Sequence, residues 1–193
     1  MHRIFAASTL MLAWAATAAA DSTQGAVDQA PAAPPAAAGK VAPRPTPAPS
    51  GPQAVVLETT QGVIVIELRE KEAPLTTANF KKLVKSKFYD GTYFHRVIPR
   101  FMIQGGDPNT KDADSRNDGL GGPNYTIPAE IKLKHVRGAV ATARLGDDAN
   151  PSKASSGSQF FIDVADQPGL DAGGYTVFGQ VISGMDAVDK IVA

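Results

Sequence analysis

The chain has no cysteine among its 193 residues. That absence excludes disulfides, removes the thiolates of most compact zinc sites and rules out a lipid-modified cysteine as an anchor. Net charge is missing as well: 19 basic residues balance 19 acidic ones, so no electrostatic footprint points to nucleic acid or anionic lipid. The apolar run from Ile4 to Trp14 falls short of the roughly 20 residues a spanning helix needs. What it does fit is a secretory signal over residues 1–20, with His2 and Arg3 as a basic head and Ala18-Ala19-Ala20 as the small residues before a cut at Asp21. A periplasmic or secreted protein with no membrane anchor is expected, and cleavage would remove Trp14, the one tryptophan.

Residues 21–52 are dominated by alanine and proline, as in PAAPPAAAGKVAPRPTPAPSGP. Proline removes backbone donors and alanine buries little, so this stretch reads as an extended, disordered linker or tether. The pattern changes at residue 53, and residues 53–193 read as one globular domain. AVVLETT and VIVIEL are β-branched runs separated by Gln61-Gly62, a hairpin signature. APLTTANFKKLVKSK predicts a helix with Pro74 in its first turn and an apolar stripe of Phe80, Leu83 and Val84. Lys81, Lys82, Lys85 and Lys87 load its later turns, where the helix dipole favours cations. Asp90-Gly91 turns the chain into TYFHRVI and FMIQ, two further strands. The polar, glycine-rich run from Asp107 to Pro128 reads as a long surface loop. Strand patterns return in GAVATA, SQFFIDV and YTVFGQVI, and Met185, Val188, Ile191 and Val192 mark a closing helix. Many short strands with two helices describe a mainly β fold, a closed or nearly closed barrel capped by helices.

The common chemistries find no support. The domain holds two histidines, His95 and His135, without HExxH, so no metal site is expected. GLGGPN does not spell GxGxxG and opens no predicted helix; Ser158 in SSGSQF lacks the GxSxG elbow. No cofactor is expected. What remains is aromatic residues, Met102, glutamine and arginine, a mixture suited to a ligand partly apolar and partly polar, such as a peptide.

FHRVIPRFMIQGGD, then GLGG, SSGSQFFI, the Leu170-Asp171 pair and VFG resemble, in that order, the motifs of cyclophilins, the peptidyl-prolyl cis-trans isomerases, and the resemblance covers roughly Val55 to Ala193. It implies an eight-stranded barrel with two helices and a substrate groove on its outside. It also implies Arg96 as the catalytic residue, a proline pocket of Phe101, Met102, Phe161 and Leu170, and Gln104 helping to hold the arginine. Ala143 and Arg144 fall where the family binds the substrate backbone, and the Arg144 side chain is expected to be solvated. Tyr175 stands where many members have histidine, and His95, beside Arg96, joins the candidate binding residues, with a structural role equally open. Expected partners are unfolded or proline-containing polypeptides, and the protein is expected to act as a monomer.

Two departures from the family pattern carry expectations. Gly169 stands where cyclosporin-sensitive members have tryptophan, implying weak binding of that drug. No strand pattern follows the last helix, so the closing C-terminal strand of the barrel is apparently missing and an open edge is expected. The alternative to an isomerase of exported proteins is a non-catalytic proline-peptide-binding module or holdase chaperone. Strand parity sets a geometric condition on the enzyme reading. A two-residue turn at Pro99-Arg100 would set Arg96 opposite Ile103, so an odd-length or bulged connection is predicted to bring Arg96 and Gln104 to one face.

Overall fold

The computed structural model describes residues 53–193 and the backbone of residues 4–7. The stretch read as a linker, 21–52, and most of that read as a signal, 1–20, lie outside the described residues. The domain opens with an antiparallel hairpin of β2 (Ala54–Thr59) and β3 (Gly62–Leu68). Its turn residues are Thr60 and Gln61, and Gly62 begins β3 with φ of 134°. The glycine of the Gln61-Gly62 signature therefore takes its positive φ at the strand entry, outside the two-residue turn. The Thr59 hydroxyl closes the turn by donating to the Gly62 carbonyl at 2.7 Å and accepting from the Gln61 amide at 3.1 Å.

Helix α1 (Pro74–Lys85) places proline where no intrahelical donor is needed, and buries Phe80, Leu83 and Val84 as the stripe predicts. Next come β4 (Arg96–Ile98), β5 (Met102–Gly105) and two short 3-10 turns at Pro108–Lys111 and Ser115–Asn117. The small strand β6 (Thr126–Ile127) follows. The stretch read as one surface loop is thus partly ordered, and Asp107 explains why. Its fully buried carboxylate accepts from the Asn109 amide at 2.7 Å and the Gly121 amide at 3.1 Å, tying both ends of the stretch together. Strands β7 (Ala139–Thr142), β8 (Ser155–Ser156) and β9 (Phe160–Asp163) lead to a short helix α2 (Pro168–Gly173). Strand β10 (Val177–Ser183) and helix α3 (Met185–Val192) complete the chain. Among the described residues three α-helices stand where two were expected. Glycine-rich PGLDAG carries little helical propensity of its own, so α2 gave no sequence signal.

The main sheet runs β1-β2-β3-β10-β7-β9-β5-β4, and β6 pairs with β8 apart from it. The fold is mainly β, a curled sheet with no strand after α3. The missing closing strand leaves the sheet open at β2 within residues 53–193, as expected; in the uncleaved chain β1 (Ile4–Ala7) pairs antiparallel with that edge, and a cut at Asp21 would remove it.

Both faces of this sheet are apolar, and period two sorts its residues between them. Val140, Phe160, Ile162, Ile103 and Phe178 point inward to a core shared with Phe80 and Tyr89 of the α1 region and Val188 of α3. Their neighbours Ala139, Ala141, Phe161, Met102 and Val177 form a second, smaller cluster on the outer face, against which Ile98, Phe101, Leu133, Leu170 and Tyr175 pack. The alternation does not reach back to Phe94. That residue precedes β4 and enters the inner core, 3% exposed.

Candidate active site

The outer cluster frames a cleft of about 490 Å³ lined by His95, Arg96, Phe101, Met102, Gln104, Asp118, Gly119, Ala143, Arg144, Phe161, Leu170 and Tyr175. Every candidate residue taken from the sequence lies in it. Asp118 and Gly119 are additions that sequence reasoning missed, since they sit in the glycine-rich stretch read as a plain loop.

The β4–β5 turn decides the arrangement. Arg96 pairs with Gln104, Val97 with Ile103 and Ile98 with Met102, so three residues, Pro99 to Phe101, connect the strands. The amide of Phe101 donates to the Ile98 carbonyl at 3.1 Å, and Arg100 takes a left-handed φ of 63°. Proline at the second turn position and positive φ at the third is the type II pattern. The Gln167 side chain holds it from outside by donating to the Arg100 carbonyl at 2.8 Å. The predicted odd-length connection is present, and it sets Arg96 directly across from Gln104.

Arg96 is exposed, its Nη1 donating to Gln104 Oε1 at 3.4 Å, with its guanidinium carbon 5.9 Å from the centre of the Phe101 ring. The direction of the Gln104 amide is fixed by a chain of bonds. Gln159, 7% exposed, uses its Nε2 to donate to the Gly119 carbonyl at 2.9 Å and the Gly121 carbonyl at 2.8 Å. Both protons on that nitrogen are then committed, so Oε1 of Gln159 must accept, which it does from Gln104 Nε2 at 3.0 Å. The Gln104 oxygen is left facing Arg96. Gly121 has to be glycine for this to work: a Cβ there would stand 2.2 Å from Asp107 Oδ1. Gln159 was missed in the sequence, although it immediately precedes the Phe160-Phe161 pair of the quoted motif.

His95 lies beside this network with both ring nitrogens buried and unpartnered. Burial lowers its pKa from the ordinary histidine range, the neighbouring Arg96 lowers it further, and Asp107 and Asp118 oppose both. Across the cleft, the expected solvation of Arg144 is overturned, because its side chain is 6% exposed. Its guanidinium lies 4.7 Å over the Tyr175 ring, donates to the Gly173 carbonyl and to the Leu145 carbonyl, and pairs with Asp147 at 2.7 Å. A planar cation can lie flat on a ring and keep its edge hydrogen bonds at once, which is why this one is drawn inward. Tyr175 in turn meets the Phe161 ring edge-on, 5.8 Å between centroids. Among the described residues no group of three or more His, Asp or Glu is placed to hold a metal ion, and no helix is long and apolar enough to cross a membrane.

What this geometry offers is an exposed guanidinium, aimed by an oriented amide, at the rim of a slot walled by two phenylalanines, a methionine and a leucine. Comparison with known proteins gives the arrangement its class. The family model for the cyclophilin type peptidyl-prolyl cis-trans isomerase/CLD matches residues 54–193. A peptidyl-prolyl cis-trans isomerase of Acinetobacter baylyi is 46% identical over 147 residues, covering 71% of this chain and 70% of the relative. A probable peptidyl-prolyl cis-trans isomerase of Brucella suis is 48% identical over 143 residues with the same coverage. Among solved structures, a Cryptosporidium parvum cyclophilin type peptidyl-prolyl cis-trans isomerase superposes with a TM-score of 0.65 at 32% identity, covering 74% of this chain and 85% of its own. Its structure in the presence of the dipeptide Ala-Pro gives 0.63 at 32% identity, covering 72% and 85%. The chain belongs to the cyclophilin-type peptidyl-prolyl cis-trans isomerases.

Proposed function

We propose that the cleft isomerises X-Pro bonds in exported polypeptides while they fold, with Arg96 as the catalytic residue. Rotation about a peptide bond is slow because resonance must be broken, at a cost of about 18 to 20 kcal/mol. A guanidinium donating to the prolyl nitrogen favours the twisted form, in which the nitrogen lone pair is localised. Apolar walls strengthen that bond by excluding water. No bond to the protein and no proton transfer is needed. Phe101, Met102, Phe161 and Leu170 hold the proline ring, Gln104 aims the guanidinium, and the backbone at Ala143 and Arg144 takes the extended chain of the substrate. Tyr175 and His95 close the two flanks of the cleft.

The observation that carries this reading is the pairing of Arg96 with Gln104 at the mouth of the slot. A related cyclophilin crystallised in the presence of Ala-Pro agrees with a slot of this size serving proline. Export rests on the basic head, short apolar run and alanine triplet at the N-terminus, and the substrates it implies are unfolded chains outside the cytoplasm. There an uncatalysed X-Pro bond takes roughly tens to hundreds of seconds to turn.

Producing the full chain in a bacterium tests both parts. The reading expects a periplasmic protein beginning at Asp21 that speeds the proline-limited phase of a refolding protein. Uncleaved protein retained in the cytoplasm would contradict export; periplasmic protein that suppresses aggregation but leaves the slow phase untouched would replace the enzyme with a holdase. Cyclosporin is expected to bind weakly. Gly169 is exposed and leaves open space where drug-sensitive members carry a tryptophan, so tight inhibition of the purified protein would count against that expectation.

A further inference from the structure

Behind the slot lies a buried ion-pair-like contact that the proposed reaction does not use. His135 Nδ1 and Asp163 Oδ2 stand 2.8 Å apart, with side chains 1% and 0% exposed. The histidine ring stacks on Phe161 with centroids 5.8 Å apart and planes 10° from parallel, and it meets Tyr175 edge-on at 6.2 Å. Its backbone grips α2. The His135 amide donates to Asp171 Oδ1 at 2.8 Å, and its carbonyl accepts from the Gln167 amide at 2.8 Å. Leu170 rides on that helix, and Gln167 also holds the β4–β5 turn. A single residue therefore touches or ties three walls of the slot.

Polar atoms are a costly way to fill this space. His135 Nε2 and Asp163 Oδ1 are both buried without partners, and apolar side chains of similar volume in place of a buried ionisable pair usually leave stability unchanged or raise it. Burial pushes the Asp163 carboxyl above the usual carboxylate range, while the His135 contact pulls it back. What the pair supplies that an apolar filling cannot is direction. Asp163 is fixed in β9 opposite Met102, and a hydrogen bond from that point sets the plane of the imidazole and, through the stack, the plane of Phe161.

We infer that His135, held by Asp163, is a positioning residue for the proline slot, fixing the Phe161 ring, Tyr175 and the α2 turn in the geometry that grips substrate. The inference rests on the proposed role of the slot and concerns binding, with Arg96 left to the chemistry.

The test compares Asp163→Asn, which keeps an acceptor for the imidazole, with the double variant His135→Phe, Asp163→Leu, which fills the space without the bond. KM and kcat would be measured on an X-Pro peptide, Ala-Pro dipeptide affinity and Phe161 ring-proton shifts by NMR, and melting temperature alongside. Asp163→Asn is expected to stay within about twofold of the intact protein in KM. The double variant is expected to melt no lower, to shift the Phe161 ring signals, and to raise KM and weaken dipeptide binding by about tenfold with kcat within about twofold. Wild-type KM and dipeptide affinity in the double variant would overturn the inference, as would a loss that tracks the unfolded fraction alone. If the intact protein does not accelerate exchange, the proposed function fails, and dipeptide affinity and the ring shifts still decide whether His135 sets the slot.

Discussion

Arg96 is half of a matched pair, and the other half is an oriented amide. The carbonyls of Gly119 and Gly121 commit the Gln159 nitrogen, Gln159 commits Gln104, and the Gln104 oxygen then points at the guanidinium. Such a chain fixes the arginine by geometry and leaves its charge exposed to substrate. His95, one residue earlier, behaves differently. Burial holds its pKa below the unfolded value of about 6.5. The unfolded chain therefore binds this proton more readily than the folded one. The stability that neutral His95 contributes is present above the unfolded pKa and is lost as pH falls through the folded pKa. Urea unfolding followed from about pH 7 to about pH 5 should show a steeper fall in stability for the intact protein than for His95→Gln. Equal slopes would show that His95 does not titrate in this way.

At the scale of elements, the β4–β5 turn was the most legible part of the site. Parity alone required an odd connection if Arg96 and Gln104 were to meet, and the type II turn with Arg100 at positive φ supplies it. Arg100→Pro would forbid the positive φ that the turn holds at its third position. Because β4 is an edge strand, the fold should survive while Arg96 loses its place opposite Gln104, and kcat/KM should fall by about tenfold or more. Near-wild-type activity in a folded Arg100→Pro variant would contradict this role of the turn. Other elements were not legible, for physical reasons. Helix α2 has no propensity signal and depends on backbone bonds to His135 and on Gln167. Arg144 looks like a loop cation in sequence, and only the Tyr175 ring and the Gly173 carbonyl, distant along the chain, show why it is buried. Gln159 was quoted inside a motif but gave no period or spacing to mark it.

Seen as a whole, the molecule divides its work between the two faces of one sheet. Inward residues of β5, β7, β9 and β10 make the core, and their outward neighbours make the cleft. The same strands that stabilise the fold therefore place the slot, and a change at the exposed arginine should leave stability almost untouched. Cis/trans exchange of a short X-Pro peptide, followed by NMR with the intact protein and with Arg96→Ala at matched folded concentration, tests that division most directly. Acceleration by the intact protein is expected, with a loss of about a hundredfold in the variant, worth roughly 2.7 kcal/mol of transition-state stabilisation, and an unchanged melting temperature. Undiminished exchange in a folded Arg96→Ala protein would contradict this, because the cleft would then work without the group around which it is built.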